Sequence, residues 1–244
     1  MSMAVQPPWT FSFGKSSILS HHFKNTSYMQ IQLENLVPVP LRDKILQRSS
    51  DIWNRQITFT PGSFIKIKAP SGTGKTTLVH YLYYIRTDYT GQVLVNGQPW
   101  ASHSKATIAA MRQEQVSVIF QDLRVFEQLT ARENIELKRV MNGQPYCTAE
   151  KVAEMAAKLN VTHVLNQSGS TLSYGERQRI AIIRALVQPF QWLIMDEPFS
   201  HLDEENAQRA AQLIAEECKA RKAGFILTDL DNDTRFAYDI HYNL

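Results

Sequence analysis

The chain has 244 residues, 43% hydrophobic and 20% charged, a balance that excludes a disordered or collagen-like protein. Lys and Arg number 26 against 23 Asp and Glu, and the resulting +3 is too weak to indicate nucleic acid, so no nucleic-acid partner is expected. The two cysteines, Cys147 and Cys218, cannot build a disulfide framework or a tetrahedral zinc site, and they suit a reducing, cytoplasmic setting. No apolar run approaches the ~18 residues that a membrane helix needs.

Residues 1–28 precede the first acidic residue, Glu34, and mix Pro7-Pro8, scattered Ser and aromatics without a steady period. They lack the apolar stretch of a secretory signal and carry no Arg, so they read as a poorly ordered extension before a domain over 29–244. Gln30–Val37 alternates apolar and polar residues as a half-buried strand does. Gln56–Thr60 and Ser63–Lys68 flank Pro61-Gly62, a type II turn dipeptide, and read as a hairpin. Gln92–Val95 ends at Asn96-Gly97, a second hairpin signal. Val116–Phe120, Trp192–Met195 and Gly224–Thr228 are short apolar runs suited to parallel strands covered on both faces. Helices are predicted over Lys75–Ile85, Ala131–Met141, Glu150–Leu159, Glu176–Leu186 and Glu204–Arg221. Thr130 with Glu133, and Ser173 with Glu176, have capping-box spacing. Strand–helix alternation predicts an α/β fold with a mainly parallel sheet. An antiparallel β subdomain and an inserted helical subdomain at about 129–172 are grafted on it.

Ser63–Ala69 runs into Pro70-Ser71-Gly72-Thr73-Gly74-Lys75-Thr76-Thr77 and then a helix, the pattern of a phosphate-binding P-loop with Ala69 in the first glycine slot. Gly72 and Gly74 free the backbone N–H groups to ring a phosphate, and the helix start adds its positive end. Lys75 can reach the β- and γ-phosphates, and the Thr76 hydroxyl can ligate Mg²⁺. As a loop lysine, Lys75 is expected to be exposed and to contribute little packing. Trp192-Leu-Ile-Met-Asp196-Glu197-Pro198 is a buried strand ending in two carboxylates. There Asp196 can hold Mg²⁺ and Glu197 can polarise an attacking water.

Leu172-Ser173-Tyr174-Gly175-Glu176-Arg177-Gln178-Arg179 precedes an Ala/Ile-rich helix and resembles the signature of the ATP-binding cassette (ABC) ATPases, usually written LSGGQ. Tyr174 stands for the first glycine of the pair and Glu176 for the glutamine. Gln121 resembles the Q-loop glutamine, Leu129-Thr130 with Glu133-Asn134-Ile135 the opening of the helical subdomain, and Ser200-His201-Leu202-Asp203 the D-loop. The resemblance covers about residues 30–244, and the wording around Gln121 and Arg177 is similar to the lipoprotein-release, macrolide-export and cell-division cassettes. It implies an ATP-hydrolysing subunit, peripheral on the cytoplasmic face, that energises a separate transmembrane permease. A second cassette chain would complete a head-to-tail dimer. Ser173 and Gly175 would then act on the ATP held by the partner's Ser71–Thr77 loop. Gln121 would sense γ-phosphate and Mg²⁺, Asp203 would join the D-loop contacts, and the Leu123–Phe126 stretch would be docking surface or subdomain core. An ATP-gated regulatory module with little hydrolysis is the alternative. The spacing from Lys75 to Asp196 leaves no room for the coiled coil of DNA-repair ABC ATPases, and the Ser173–Arg179 segment argues against a P-loop kinase.

Two positions depart from the family pattern. Val37–Leu41 carries no aromatic to stack on adenine, which would cost ~1–3 kcal/mol by analogy with other base–aromatic contacts; Trp53 and the aromatics of residues 1–28 are the candidate substitutes. Thr228-Asp229-Leu230-Asp231 places Asp229 where the family has a switch histidine. An ionised carboxylate cannot donate to a phosphate and repels it, so either Asp229 is protonated, or it swings away, or turnover is slow; the last is the expectation carried forward, with Asp229→His faster by about tenfold, or ~1.4 kcal/mol.

Overall fold

The computed structural model describes residues 28–244 except 142, 144, 231 and 232. The extension over residues 1–28 lies outside the described residues but for Tyr28. The strands are β1 (Ile31–Pro38), β2 (Gln56–Phe59), β3 (Phe64–Lys68), β4 (Tyr89–Val95), β5 (Gln98–Pro99), β6 (Val116–Ile119), β7 (Trp192–Asp196), β8 (Gly224–Asp229) and β9 (Ile240–Asn243). The helices are α1 (Arg42–Leu46), α2 (Lys75–Leu82), α3 (Lys105–Glu114), α4 (Ala131–Arg139), α5 (Ala149–Lys158), α6 (Tyr174–Leu186) and α7 (Glu204–Arg221). One sheet has the order β2-β1-β4-β5 and is antiparallel. The other is parallel, with the order β6-β7-β8-β3-β9.

The central parallel strands divide their side chains by period two between two cores. Ile65, Ile67, Ile194 and Ile226 face α2 and the antiparallel sheet. Phe64, Leu193, Met195, Phe225 and Leu227 face α6, α7 and the helices of the 129–172 block. Ile135, Val152 and Met155 of that block are buried in this second core. Both faces are covered, which is why these strands read as unbroken apolar runs.

The hairpin expected between residues 56–60 and 63–68 does not form. Its turn does: Gly62 has φ 81° and Ser63 N donates to Thr60 O at 3.2 Å. Yet β2 pairs with β1, while β3 lies between β8 and β9 in the other sheet. The physical difference is burial. Only Phe59 of β2 is buried, whereas four of the five residues of β3 are. The Asn96-Gly97 hairpin does form, with φ 51° and 76° as a type I′ turn needs, and joins β4 to β5. Helix α2 ends at Leu82, three residues before the predicted end, because Tyr84 turns left-handed at φ 55°. No helix among the described residues is long and apolar enough to cross a membrane.

Candidate functional site

Strand β3 delivers the chain to the loop at Ala69, whose N–H donates to Asp229 O at 2.9 Å. Gly72 and Gly74 have φ 77° and 101°, conformations that side chains oppose. At Gly74 a Cβ would also meet Leu41 Cδ1 and Trp53 Cζ2, each at 3.1 Å. Trp53 is buried beneath the loop, and its indole N–H donates to Thr73 O at 3.1 Å. Its ring therefore braces the loop and does not offer a face for a base. Helix α2 starts at Lys75, so its free N–H groups point into a cleft of about 420 Å³. Ser71, Gly72, Gly74, Lys75, Thr76 and Thr77 form one wall. Gln121, Glu197, Leu41 and Leu230 complete its lining.

Asp196 ends β7 at 1% exposure, and its two oxygens are divided between two hydroxyls. Thr76 Oγ1 donates to Oδ2 at 2.7 Å, and Thr228 Oγ1 to Oδ1 at 2.8 Å. Gln121 Oε1 lies 3.5 Å from Thr76 Oγ1. A hydroxyl, a carboxylate and an amide oxygen thus converge, a hard-oxygen set that fits Mg²⁺ completed by phosphate oxygens and water. No group of three or more His, Cys, Asp or Glu side chains among the described residues could hold a metal by itself.

The expected exposure of Lys75 is corrected by the structure. Lys75 is 8% exposed, and Nζ lies 3.0 Å from Glu197 Oε1. Glu197 has φ 48°, and its N–H donates to Thr228 O at 2.9 Å, which aims the side chain back over the loop. The phosphate-loop cation and the acid are therefore each other's partner.

Ser173 caps α6 in a reciprocal capping box with Glu176. The Ser173 hydroxyl and N–H both donate to Glu176 Oε2, at 2.7 and 2.8 Å, which holds the Glu176 carboxyl below its usual range. At Gly175 a Cβ would meet His201 O at 3.2 Å, so a side chain there would crowd the following loop. Tyr174 lays its ring 4.0 Å from the His201 ring and donates to Gln121 O at 3.3 Å. Asp203 caps α7 by accepting from Asn206 N at 2.8 Å. Ser173, Gly175 and Asp203 do not line the phosphate cleft of their own chain.

One residue of the site, Gln178, has no sequence signal for its role. Gln178, buried in α6, donates to Pro198 O at 2.6 Å and accepts from His201 N at 3.2 Å, so α6 holds the segment after Glu197. Asp229 does not line the cleft; its Oδ2 is 3.3 Å from Lys66 Nζ and its Oδ1 accepts from Leu230 N at 2.7 Å. Leu123 is buried core, whereas Phe126 is exposed on a groove of about 350 Å³. Phe120, Leu137 and Met141 line that groove with Lys138 and Arg184. Burial lowers the pKa of both cations, Arg184 to about 10.

The strand–loop–helix cradle beside an acidic strand end, on a parallel sheet, defines a P-loop NTPase of the α/β class. The profile of the ABC transporter family matches residues 53–200, more than half the chain, and the chain belongs to that family. It is 35% identical over 152 residues to the ABC transporter ATP-binding protein YxdL of Bacillus subtilis (strain 168), an alignment spanning 61% of this chain and 59% of that relative. It is 31% identical over 202 residues to the lipoprotein-releasing system ATP-binding protein LolD of Xylella fastidiosa (strain Temecula1), spanning 82% and 83%. In fold it is similar to a dimeric post-hydrolysis state of the ATP-binding cassette MJ0796 bound to ADP and Pi. That likeness has a TM-score of 0.69 at 22% identity, over 82% of this chain and 88% of the other.

Proposed function

We propose that the chain is the ATP-hydrolysing subunit of a membrane transporter, acting at the cytoplasmic face through a transmembrane permease subunit. The observation that carries this reading is the convergence of Thr76, Asp196 and Gln121 beside the Lys75–Glu197 pair. The N–H groups of the Ser71–Thr77 loop cradle the phosphates of ATP. Lys75 exchanges Glu197 for a phosphate oxygen, and Glu197 is released to accept a proton from the attacking water. Thr76, Asp196 and Gln121 would hold Mg²⁺, which neutralises developing phosphate charge when bound. Ser173 and Gly175 serve the cleft of a second cassette chain, with the N-terminus of α6 aimed at the γ-phosphate. Closure of that dimer is the power stroke, and Asp203 lies on the closing face.

The test is steady-state phosphate release by the purified chain. Turnover is expected to need Mg²⁺, to fall to the blank on chelation, and to be lost in Asp196→Asn. Turnover that survives both changes would overturn the reading.

The groove beside Gln121 supports the permease contact. Arg184 donates to Leu123 O and Arg124 O, whereas Lys138 has no carboxylate within ion-pairing distance among the described residues, so the groove suits a helical segment with apolar anchors and an acidic side chain for Lys138. In a solubilised complex with the membrane subunit, Lys138→Glu is expected to weaken association about tenfold at low salt while ATP binding by the isolated chain is unchanged. Equal association of both forms would remove the groove from the interface.

A further inference from the structure

Lys66 is a lysine in the middle of a central parallel strand, 2% exposed, with β8 on one side and β9 on the other. A buried ammonium without a counter-charge is costly, so its partner is informative. In the sheet register Phe64 lies beside Phe225, Lys66 beside Leu227 and Lys68 beside Asp229. The Phe64 and Phe225 rings stack with centroids 4.2 Å apart, which fixes these residues on one face. Thr228 lies on the other face, where its hydroxyl meets Asp196. Asp229 therefore points away from the Mg²⁺-type site, and its Oδ2 lies 3.3 Å from Lys66 Nζ. The other nearby carboxylate, Asp233, is already engaged: Tyr238 OH donates to Oδ2, and Arg235 Nη1 to Oδ1 at 2.7 Å. Lys66 and Asp229 are thus matched one to one.

We propose that Lys66 is a positioning residue that anchors the Asp229 carboxylate on the face where the strand register places it and cancels its charge, so that the switch position presents no uncompensated anion near the phosphate cleft. The proposal rests on the nucleotide-binding reading above. Asp229 has Leu230 as its next residue, and Leu230 lines the cleft beside Glu197. A carboxylate that has lost Lys66 is therefore an uncompensated negative charge one residue from the cleft lining. The pair is also asymmetric. Asp229 is 24% exposed and can regain water when its partner is removed, whereas Lys66 cannot. The sequence-based expectation for Asp229→His changes accordingly. That substitution alone strands a buried ammonium, and the tenfold gain is expected only when Lys66 is made apolar as well.

The measurement is affinity for a non-hydrolysable Mg·ATP analogue and for Mg·ADP, by titration calorimetry, with circular dichroism melts to establish folding. Lys66→Met is expected to weaken the analogue about tenfold, because an uncompensated carboxylate then lies near the γ-phosphate end, and to leave ADP within about twofold. Lys66→Met/Asp229→Asn is expected to regain the parent's analogue affinity. A Lys66 that only supports the sheet would weaken both nucleotides alike without rescue, and that pattern overturns the proposal. So does parental analogue affinity in Lys66→Met. Lys75→Ala separates the two readings. Analogue binding that survives Lys75→Ala overturns the phosphate-loop assignment and this proposal with it. Binding lost in Lys75→Ala yet indifferent to Lys66→Met overturns this proposal alone.

Discussion

Glu197→Gln is expected to lower steady-state ATP turnover by about a thousandfold, near 4 kcal/mol of barrier, while tightening ATP binding. The two effects come from one side chain. Glu197 is the carboxylate placed at the cleft edge, so its amide analogue removes the proton acceptor for water and leaves the fold's hydrogen bonds in place. Its N–H bond to Thr228 O is a main-chain contact and is indifferent to the change. In the nucleotide-free chain Glu197 also competes with phosphate for Lys75, at 3.0 Å. A neutral glutamine competes less, so ATP gains what the ion pair gave up. Bound, unhydrolysed ATP should hold two chains together through Ser173 and Gly175. Size-exclusion chromatography with light scattering, with and without Mg·ATP, checks this. A variant that stays monomeric at high protein concentration would count against the trans role of Ser173 and Gly175 in a homodimer. It would favour a different cassette chain as partner. A variant that hydrolyses ATP at the parent rate would remove Glu197 as base.

The phosphate loop was legible because its demands are local. Gly72 and Gly74 stand where φ is positive, and Thr76 follows Lys75 at the helix start, so spacing alone locates the cradle. The acidic strand end was legible for the same reason, since Trp192–Met195 is apolar on both faces up to Asp196. What the sequence could not display is which strand lies beside which. Pro61-Gly62 announces a turn and nothing in the turn says that β3 leaves for another sheet. That choice is made by Ile65 and Ile67 packing against α2 on one side and Phe64 against Phe225 on the other. Helix α3 has no readable period in the sequence, because only Ile108 and Met111 are buried along it. Strand β9 is a short, half-buried edge. The partners of Lys66, Trp53 and Gln178 are tertiary too. Each reaches an atom between 19 and 163 residues away, and no local pattern encodes that.

The same gap between local pattern and tertiary pairing bears on Lys75→Ala. The substitution is expected to weaken Mg·ATP affinity by about a hundredfold, near 2.7 kcal/mol, since a charge-assisted contact to the β- and γ-phosphates is lost. Were Lys75 an exposed loop side chain, stability would be untouched. It is instead 8% exposed and paired with Glu197, itself nearly as buried. Removing the cation leaves a carboxylate facing a polar cleft without its partner. A fully buried pair broken in this way costs ~3–5 kcal/mol, and access of water from the cleft reduces that to about 2 kcal/mol. Lys75→Ala should therefore bind ATP poorly and melt earlier than the parent. Lys75→Ala/Glu197→Gln removes both charges and is expected to recover most of the lost stability while recovering none of the hydrolysis. Calorimetric titration with Mg·ATP and thermal melts of the nucleotide-free proteins measure the two effects separately. Parental affinity in Lys75→Ala would remove the lysine from the phosphate site. A parental melting temperature in the same variant would show that the ion pair with Glu197 contributes nothing to the empty cleft.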